Sequence, residues 1–238
     1  RVFTVGEQAA GIGLLAREPS HLGQRLELAY DGQRITVTLP LIGAYQAANA
    51  LVSAGLALAT GGDAARTFDA LGRLQPVRGR LERAAITASG APVYVDYAHT
   101  PDALAAAIAA LRPHVRGRLI TVFGAGGDRD MGKRAPMGAA AVAGSDMVIV
   151  TDDNPRGEDP GAIRGMVLEG AAGAREVADR REAIAAAIAE ADEGDIVLVA
   201  GKGHEQGQIV GRGAETRILP FDDVKVAREC AGIPLGEK

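Results

Sequence analysis

The chain has 238 residues, 47% of them hydrophobic, 24% charged and 3% aromatic, and its 26 basic and 30 acidic side chains leave a net charge of −4. A mean hydropathy near zero excludes a disordered chain, and no apolar run is long enough to span a bilayer. The acidic balance and scarce aromatics exclude a nucleic-acid surface, while a single cysteine, Cys230, excludes an internal disulfide and a cysteine-rich metal site.

The opening RVFTVGE has no Met, no basic region and no apolar signal segment. The chain is therefore expected to begin inside a longer protein, and the cytoplasm is the expected compartment. Residues 1 to 40 read as short strands, RVFTV, RLELAY and RITVTL, the last two joined by an Asp-Gly hairpin signal. LIGAYQAANALVSAGLALAT has helical spacing and stops at Gly61-Gly62, and a second helix opens at Asp63, a good N-cap.

From about residue 82 strands alternate with alanine-rich helices, the form of a parallel sheet with crossover helices. Strands are expected in LERAAITA, PVYVDYA, RLITVFG, MVIVTDD, REVAD and DIVLVAG. The helices are DALAAAIAALR, KRAPMGAAAVAG, PGAIRGMVLEGAA, RREAIAAAIAEAD and FDDVKVAREC. This is an α/β, Rossmann-like, mostly parallel sheet with flanking helices, and such sheets bind ligands beyond the carboxyl ends of their strands.

Five polar stretches stand out: VRGRLE, VDYAHTPDAL, FGAGGDRDMGKR, TDDNPRGEDP and GKGHEQGQ. In the second, Asp96 ends an apolar strand, where a carboxylate can accept from ribose hydroxyls; it reads equally as a turn former, with Thr100 capping a helix that starts at Pro101. His99, without a matching metal-ligand spacing, reads as structural. The third spells G-x-x-x-x-G-K from Gly127 to Lys133, the spacing of a phosphate-binding loop, yet Arg134 replaces the Ser or Thr that would hold Mg²⁺. Glycines 124, 126 and 127 with Arg129, Lys133 and Arg134 suit an anion, and a carboxylate guest is favoured, since Asp128 and Asp130 would repel a triphosphate. Arg156 follows Pro155 at a strand end and suits bidentate capture of a carboxylate; taken alone it is a surface arginine after an Asx-Pro turn. The fifth adds Lys202, His204 and Glu205. Glu205 beside Arg129 and Arg156 would make a pocket of both signs, as a zwitterionic amino acid requires.

In this order the stretches resemble the Mur ligases, ATP-dependent enzymes that add amino acids to the peptidoglycan precursor, and among them the diaminopimelate-adding branch. VDYAHTPDAL, GGDRDMGKR, DNPR and GKGHE match nearly letter for letter, and the resemblance covers essentially the whole chain. It implies that residues 1–80 are the C-terminal part of a central ATP-binding domain and residues 81–238 a C-terminal Rossmann-like amino-acid-binding domain. Neither a complete P-loop nor the carbamylated lysine that helps hold Mg²⁺ in the family is found, so the chain alone is expected to be inactive, with Mg²⁺ bound elsewhere and no metal ligand here. The resemblance assigns Asn49, Arg80 and Asp96 to ATP. It assigns Arg129, Asp153, Asn154, Pro155, Arg156, Gly201 and Glu205 to meso-diaminopimelate. Gln46 stands where the family usually has Asn, keeping the amide but moving it by one methylene. No residue is a convincing nucleophile; Lys133 and His204 are candidates for electrostatic help.

The implied reaction phosphorylates the D-glutamate side-chain carboxylate of UDP-N-acetylmuramoyl-L-alanyl-D-glutamate, after which the diaminopimelate amine attacks. The rivals are a lysine-adding or folylpolyglutamate-type ligase, against which DNPR argues, and a non-catalytic Rossmann-like binding module. A nicotinamide dehydrogenase fails for want of G-x-G-x-x-G.

Overall fold

The structure is a computed structural model and describes residues 2–233. The chain divides into two compact units, Arg1–Pro76 and Val77–Lys238.

In the first unit, β1 (Val5–Gly6) pairs in parallel with β2 (Ile12–Ser20), and the sheet continues antiparallel through β3 (Gly23–Tyr30) to β4 (Gln33–Leu39). Tyr30 faces Gln33 across a two-residue turn in which Asp31 (φ 48°) and Gly32 (φ 73°) are both left-handed, the type I′ geometry that an Asp-Gly pair favours. The sequence reading missed β2 and placed a strand at RVFTV, of which only Val5 pairs among the described residues. Leu14 faces Leu28 and Ala16 faces Glu27, so Leu15 is a bulge residue, 47% exposed, and the alternation that marks a strand breaks there. The helix α1 (Ala44–Ala59) lays Ala47, Ala50, Leu51 and Ala54 in one core with Leu26, Leu28, Val37 and Leu39. Asp63 caps α2 (Ala64–Leu71) by accepting from the Arg66 amide at 2.9 Å. Asn49 is exposed on α1 and Gln46 half-buried.

The second unit is a six-stranded sheet. Its strands are β5 (Glu82–Ile86), β6 (Pro92–Asp96), β7 (Leu119–Phe123), β8 (Met147–Val150), β9 (Arg175–Glu176) and β10 (Ile196–Ala200), in the order β5-β6-β10-β7-β8-β9. All pairs are parallel except β5 with β6. The central strands are buried on both faces, as their unbroken apolar runs require. The helices α3 (Pro101–Leu111), α4 (Arg134–Gly144) and α5 (Pro160–Leu168) pack together on one side. On the other, α6 (Arg180–Ala189) and α7 (Asp223–Cys230) share a core with Val93, Ile120, Ile149 and Val197. Thr100, Asp159, Asp179 and Asp222 cap α3, α5, α6 and α7 through side-chain bonds to first-turn amides.

The unit begins before residue 80 because Arg78 and Gly79 are already built into it. Arg78 pairs with Asp222, and a Cβ on Gly79 would lie 2.3 Å from the Gly203 carbonyl carbon. A two-stranded hairpin, β11 (Gly207–Val210) with β12 (Arg217–Pro220), was not expected from the sequence. Neither strand has a buried residue, so no hydrophobic alternation announces it.

Candidate functional site

The strand ends lie in register: Ala200 is beside both Asp96 and Phe123, and Phe123 is beside Val150. Four loops therefore leave one edge of the sheet together, and they enclose a cleft of about 230 Å³. Arg129, Lys133, Asp153, Asn154, Arg156, Gly201 and Glu205 line it, with Tyr97 and His99. Pro155, Arg80, Asp96 and His204 are outside that lining, and Asn49 belongs to the first unit.

The glycine-rich loop after β7 packs closely against the loop after β8. A Cβ on Gly124 would meet the Thr151 carbonyl oxygen at 2.3 Å, and one on Gly127 the Pro155 carbonyl oxygen at 2.0 Å. These glycines let two loops touch, and Gly124 with Gly126 also lines the cleft. Arg134, expected as a third cation for the ligand, is wholly buried: its Nη2 pairs with Glu158 at 2.9 Å and its Nη1 donates to the Met166 sulfur at 3.1 Å. Asp128 is likewise spoken for. The hydrogen bond from Arg212, with that from the Gly157 amide, holds its carboxyl below the usual range. Two cations of the loop remain for a ligand. Arg129 is exposed and makes no salt bridge among the described residues. Lys133 Nζ donates to the His99 carbonyl at 2.8 Å, and burial lowers its pKa against the opposing pull of Asp153 and Asp130.

The loop after β8 is held on all sides. Arg156 is left-handed, with φ 52°, an uncommon conformation for a non-glycine residue that the surroundings must impose. The hairpin imposes it: the Arg156 amide donates to the Ile209 carbonyl at 3.0 Å, and the Gly211 amide donates to the Arg156 carbonyl at 2.7 Å. The guanidinium turns back over the glycine loop, Nη1 donating to the Gly127 carbonyl at 2.9 Å, and it makes no salt bridge among the described residues. Asn154 Nδ2 donates to Glu205 Oε2 at 2.9 Å. Gly201, at φ 120°, has no room for a side chain, since a Cβ would approach Asp153 Oδ2 to 2.5 Å.

At the other end of the edge, Asp96 is 8% exposed and accepts from the Leu81 and Ala98 amides, each at 2.8 Å. The turn-forming role is thus realised, and Thr100 does cap α3. Burial raises the Asp96 pKa, and the two amide bonds offset part of that rise. Tyr97 is the centre of an aromatic cluster, with the His99 ring at 4.6 Å, the His204 ring at 5.0 Å and the Arg80 guanidinium 4.9 Å above it.

Two contributors escaped the sequence reading as site residues. Tyr97 had no signal beyond its place at a strand end. Lys202, given no role in the fifth polar stretch, is fully buried and holds the DNPR loop, and the glycines on either side were the available clue. Among the described residues no three His, Cys, Asp or Glu side chains converge as metal ligands would, and no described helix is long and apolar enough to cross a membrane.

A family model described as Mur ligase, glutamate ligase domain, matches residues 79–203. The chain is 60% identical over 229 residues to the UDP-N-acetylmuramoyl-L-alanyl-D-glutamate–2,6-diaminopimelate ligase of Zymomonas mobilis subsp. mobilis, covering 96% of this chain and 47% of that protein. It is 54% identical over 223 residues to the ligase of the same name from Caulobacter vibrioides, covering 94% and 45%. A solved structure with that ligase name superposes with a TM-score of 0.78 at 35% identity, over 98% of this chain and 48% of the other. The chain spans about half the length of the curated relatives it matches.

Proposed function

Because the chain belongs to the Mur ligase family, we propose that it forms the amino-acid-binding part of an ATP-dependent ligase that adds meso-diaminopimelate to UDP-N-acetylmuramoyl-L-alanyl-D-glutamate. The observation that carries this reading is the charge pattern of the cleft. Arg129 and Arg156 line it without a carboxylate partner among the described residues, and Glu205 lines it with them. Such a cleft suits a ligand with a carboxylate at the far end of its side chain and an ammonium beside it, which describes diaminopimelate and not lysine.

In the reaction, the D-glutamate side-chain carboxylate takes the terminal phosphoryl group of ATP and becomes an acyl phosphate. The free amine of diaminopimelate attacks the acyl carbon, the C–N bond forms, the bond to phosphate oxygen breaks, and a proton leaves the nitrogen. The residues here bind and orient. Arg156, its backbone fixed by the hairpin, clamps the distal carboxylate, while Glu205 holds the ammonium, and together they aim the reacting amine. Arg80 over Tyr97 offers a cation on the nucleotide side, and Asp96 keeps the loop beside it in shape; Asn49, exposed on α1 of the first unit, is proposed separately as an ATP contact. Lys133 and His204 act at most electrostatically. The expected setting is the cytoplasmic assembly of the peptidoglycan precursor, on which cell shape and division depend.

The test is isothermal titration of the chain with meso-diaminopimelate and, separately, with L-lysine, ATP being absent. Binding of the diacid alone is expected. Equal binding of the two, or of neither at millimolar concentration, would overturn the reading.

A further inference from the structure

Lys202 is the one fully buried ammonium beside the cleft among the described residues, and no step above uses it. Its Nζ donates to Asn154 Oδ1 at 2.8 Å, to the Gly207 carbonyl at 3.1 Å and to Asp153 Oδ1 at 3.4 Å, so all three ammonium protons are placed. Burial pulls the Lys202 pKa down, and the neighbouring Asp153 carboxylate pulls the other way. The Asn154 side-chain oxygen accepts a second bond, from the Ile209 amide at 2.9 Å. Neither of these donors can accept, which fixes which end of the amide is oxygen and which is nitrogen. The Asn154 NH₂ group is thereby forced toward Glu205, where it donates to Oε2, leaving Oε1 without a partner among the described residues.

We propose that Lys202 is a positioning residue for amino-acid recognition: it locks the Asn154 amide, neutralises the buried Asp153 carboxylate, and so sets Glu205 to take the substrate ammonium. This rests on the diaminopimelate reading above and adds to it the element that orients its ammonium-binding carboxylate. Without the ammonium, Asp153 loses the cation bonded to it and keeps only the through-space pull of Lys133 and Arg180, and the amide loses its charged anchor.

The experiment uses the full-length protein and steady-state kinetics with each substrate varied in turn. Lys202→Met is expected to raise KM for diaminopimelate about tenfold, the size of losing one charge-assisted hydrogen bond, with KM for ATP and kcat within about twofold of the parent. In a Glu205→Gln background the same change should add little, because both act on one contact. Full additivity in that double variant, or equal changes in every kinetic constant, would overturn the proposal. Should Lys202→Met fail to fold by circular dichroism, Asn154→Asp serves instead. It is isosteric, keeps a partner for the ammonium and replaces the donor to Glu205 with an acceptor, so the same selective rise in KM is expected and an unchanged KM would overturn the proposal. The diaminopimelate reading fails separately, through an unchanged KM for diaminopimelate in Glu205→Gln alone.

Discussion

Four arginines near the carboxyl edge of the second unit's sheet divide into two kinds. Arg180 and Arg134 are buried and matched, the first to Asp223 through two bonds at 2.8 and 2.7 Å and the second to Glu158. Arg129 and Arg156 face the cleft without a carboxylate among the described residues. Burial without a partner would be prohibitive for the inner pair, whereas in the outer pair Arg129 is exposed and Arg156 only half-buried, so neither needs a carboxylate partner. The contrast separates residues that hold the edge together from residues that we propose take the ligand.

The largest expected effect belongs to the inner pair. Asp223→Ala strands the Arg180 charge, which the neutral Asp152 and Ala200 carbonyls cannot compensate, and should cost about 3–5 kcal/mol in urea unfolding. A loss below about 1 kcal/mol would erase the distinction between the two pairs. Arg134→Met keeps volume but removes the bond to Glu158, and a loss of about 2–3 kcal/mol is expected by the same measurement, since Glu158 can reach water. Next comes the outer pair, where the effect moves from stability to substrate. Arg156→Ala in the full-length protein should lower kcat/KM for diaminopimelate by about 2 kcal/mol of transition-state binding while unfolding changes by less than about 1 kcal/mol. Unchanged kinetics would remove Arg156 from the site.

The smallest effect lies at the opposite edge, where Arg112 and Asp146 are both substantially exposed. There the Leu119 amide, with Arg112 adding to it, holds the Asp146 carboxyl below its ordinary 3.8. A lowered carboxylate pKa gives stability that is present above the unfolded value and lost as pH falls through the folded one. Asp146→Asn should therefore cost under about 1 kcal/mol at pH 7, and that difference should vanish in unfolding measured below the folded pKa.

Much of this was legible because local chemistry and fold agree. The apolar runs at 93–95, 119–123 and 196–200 read as buried strands, and Asp63 and Thr100 announce the helices that follow them. The sequence misleads where a residue's type is compatible with two surroundings. Arg134, next to a Walker-like spelling, looks like a ligand cation, and only the position of Glu158 shows that it is not. The hairpin of β11 and β12 leaves no pattern because it is held by backbone bonds at Arg156, which carry no side-chain signature. Leu15 hides β2 in a similar way, since a bulge shifts the alternation by one residue.

The Asp96 carboxylate binds the amides of Leu81 and Ala98, one at the entrance to β5 and the other beyond the end of β6. Two segments separated in sequence thus share a single latch. In hydrogen–deuterium exchange their protons should report one opening event, with matched protection, and Asp96→Asn should release both together while the amides of β7 keep their own rate.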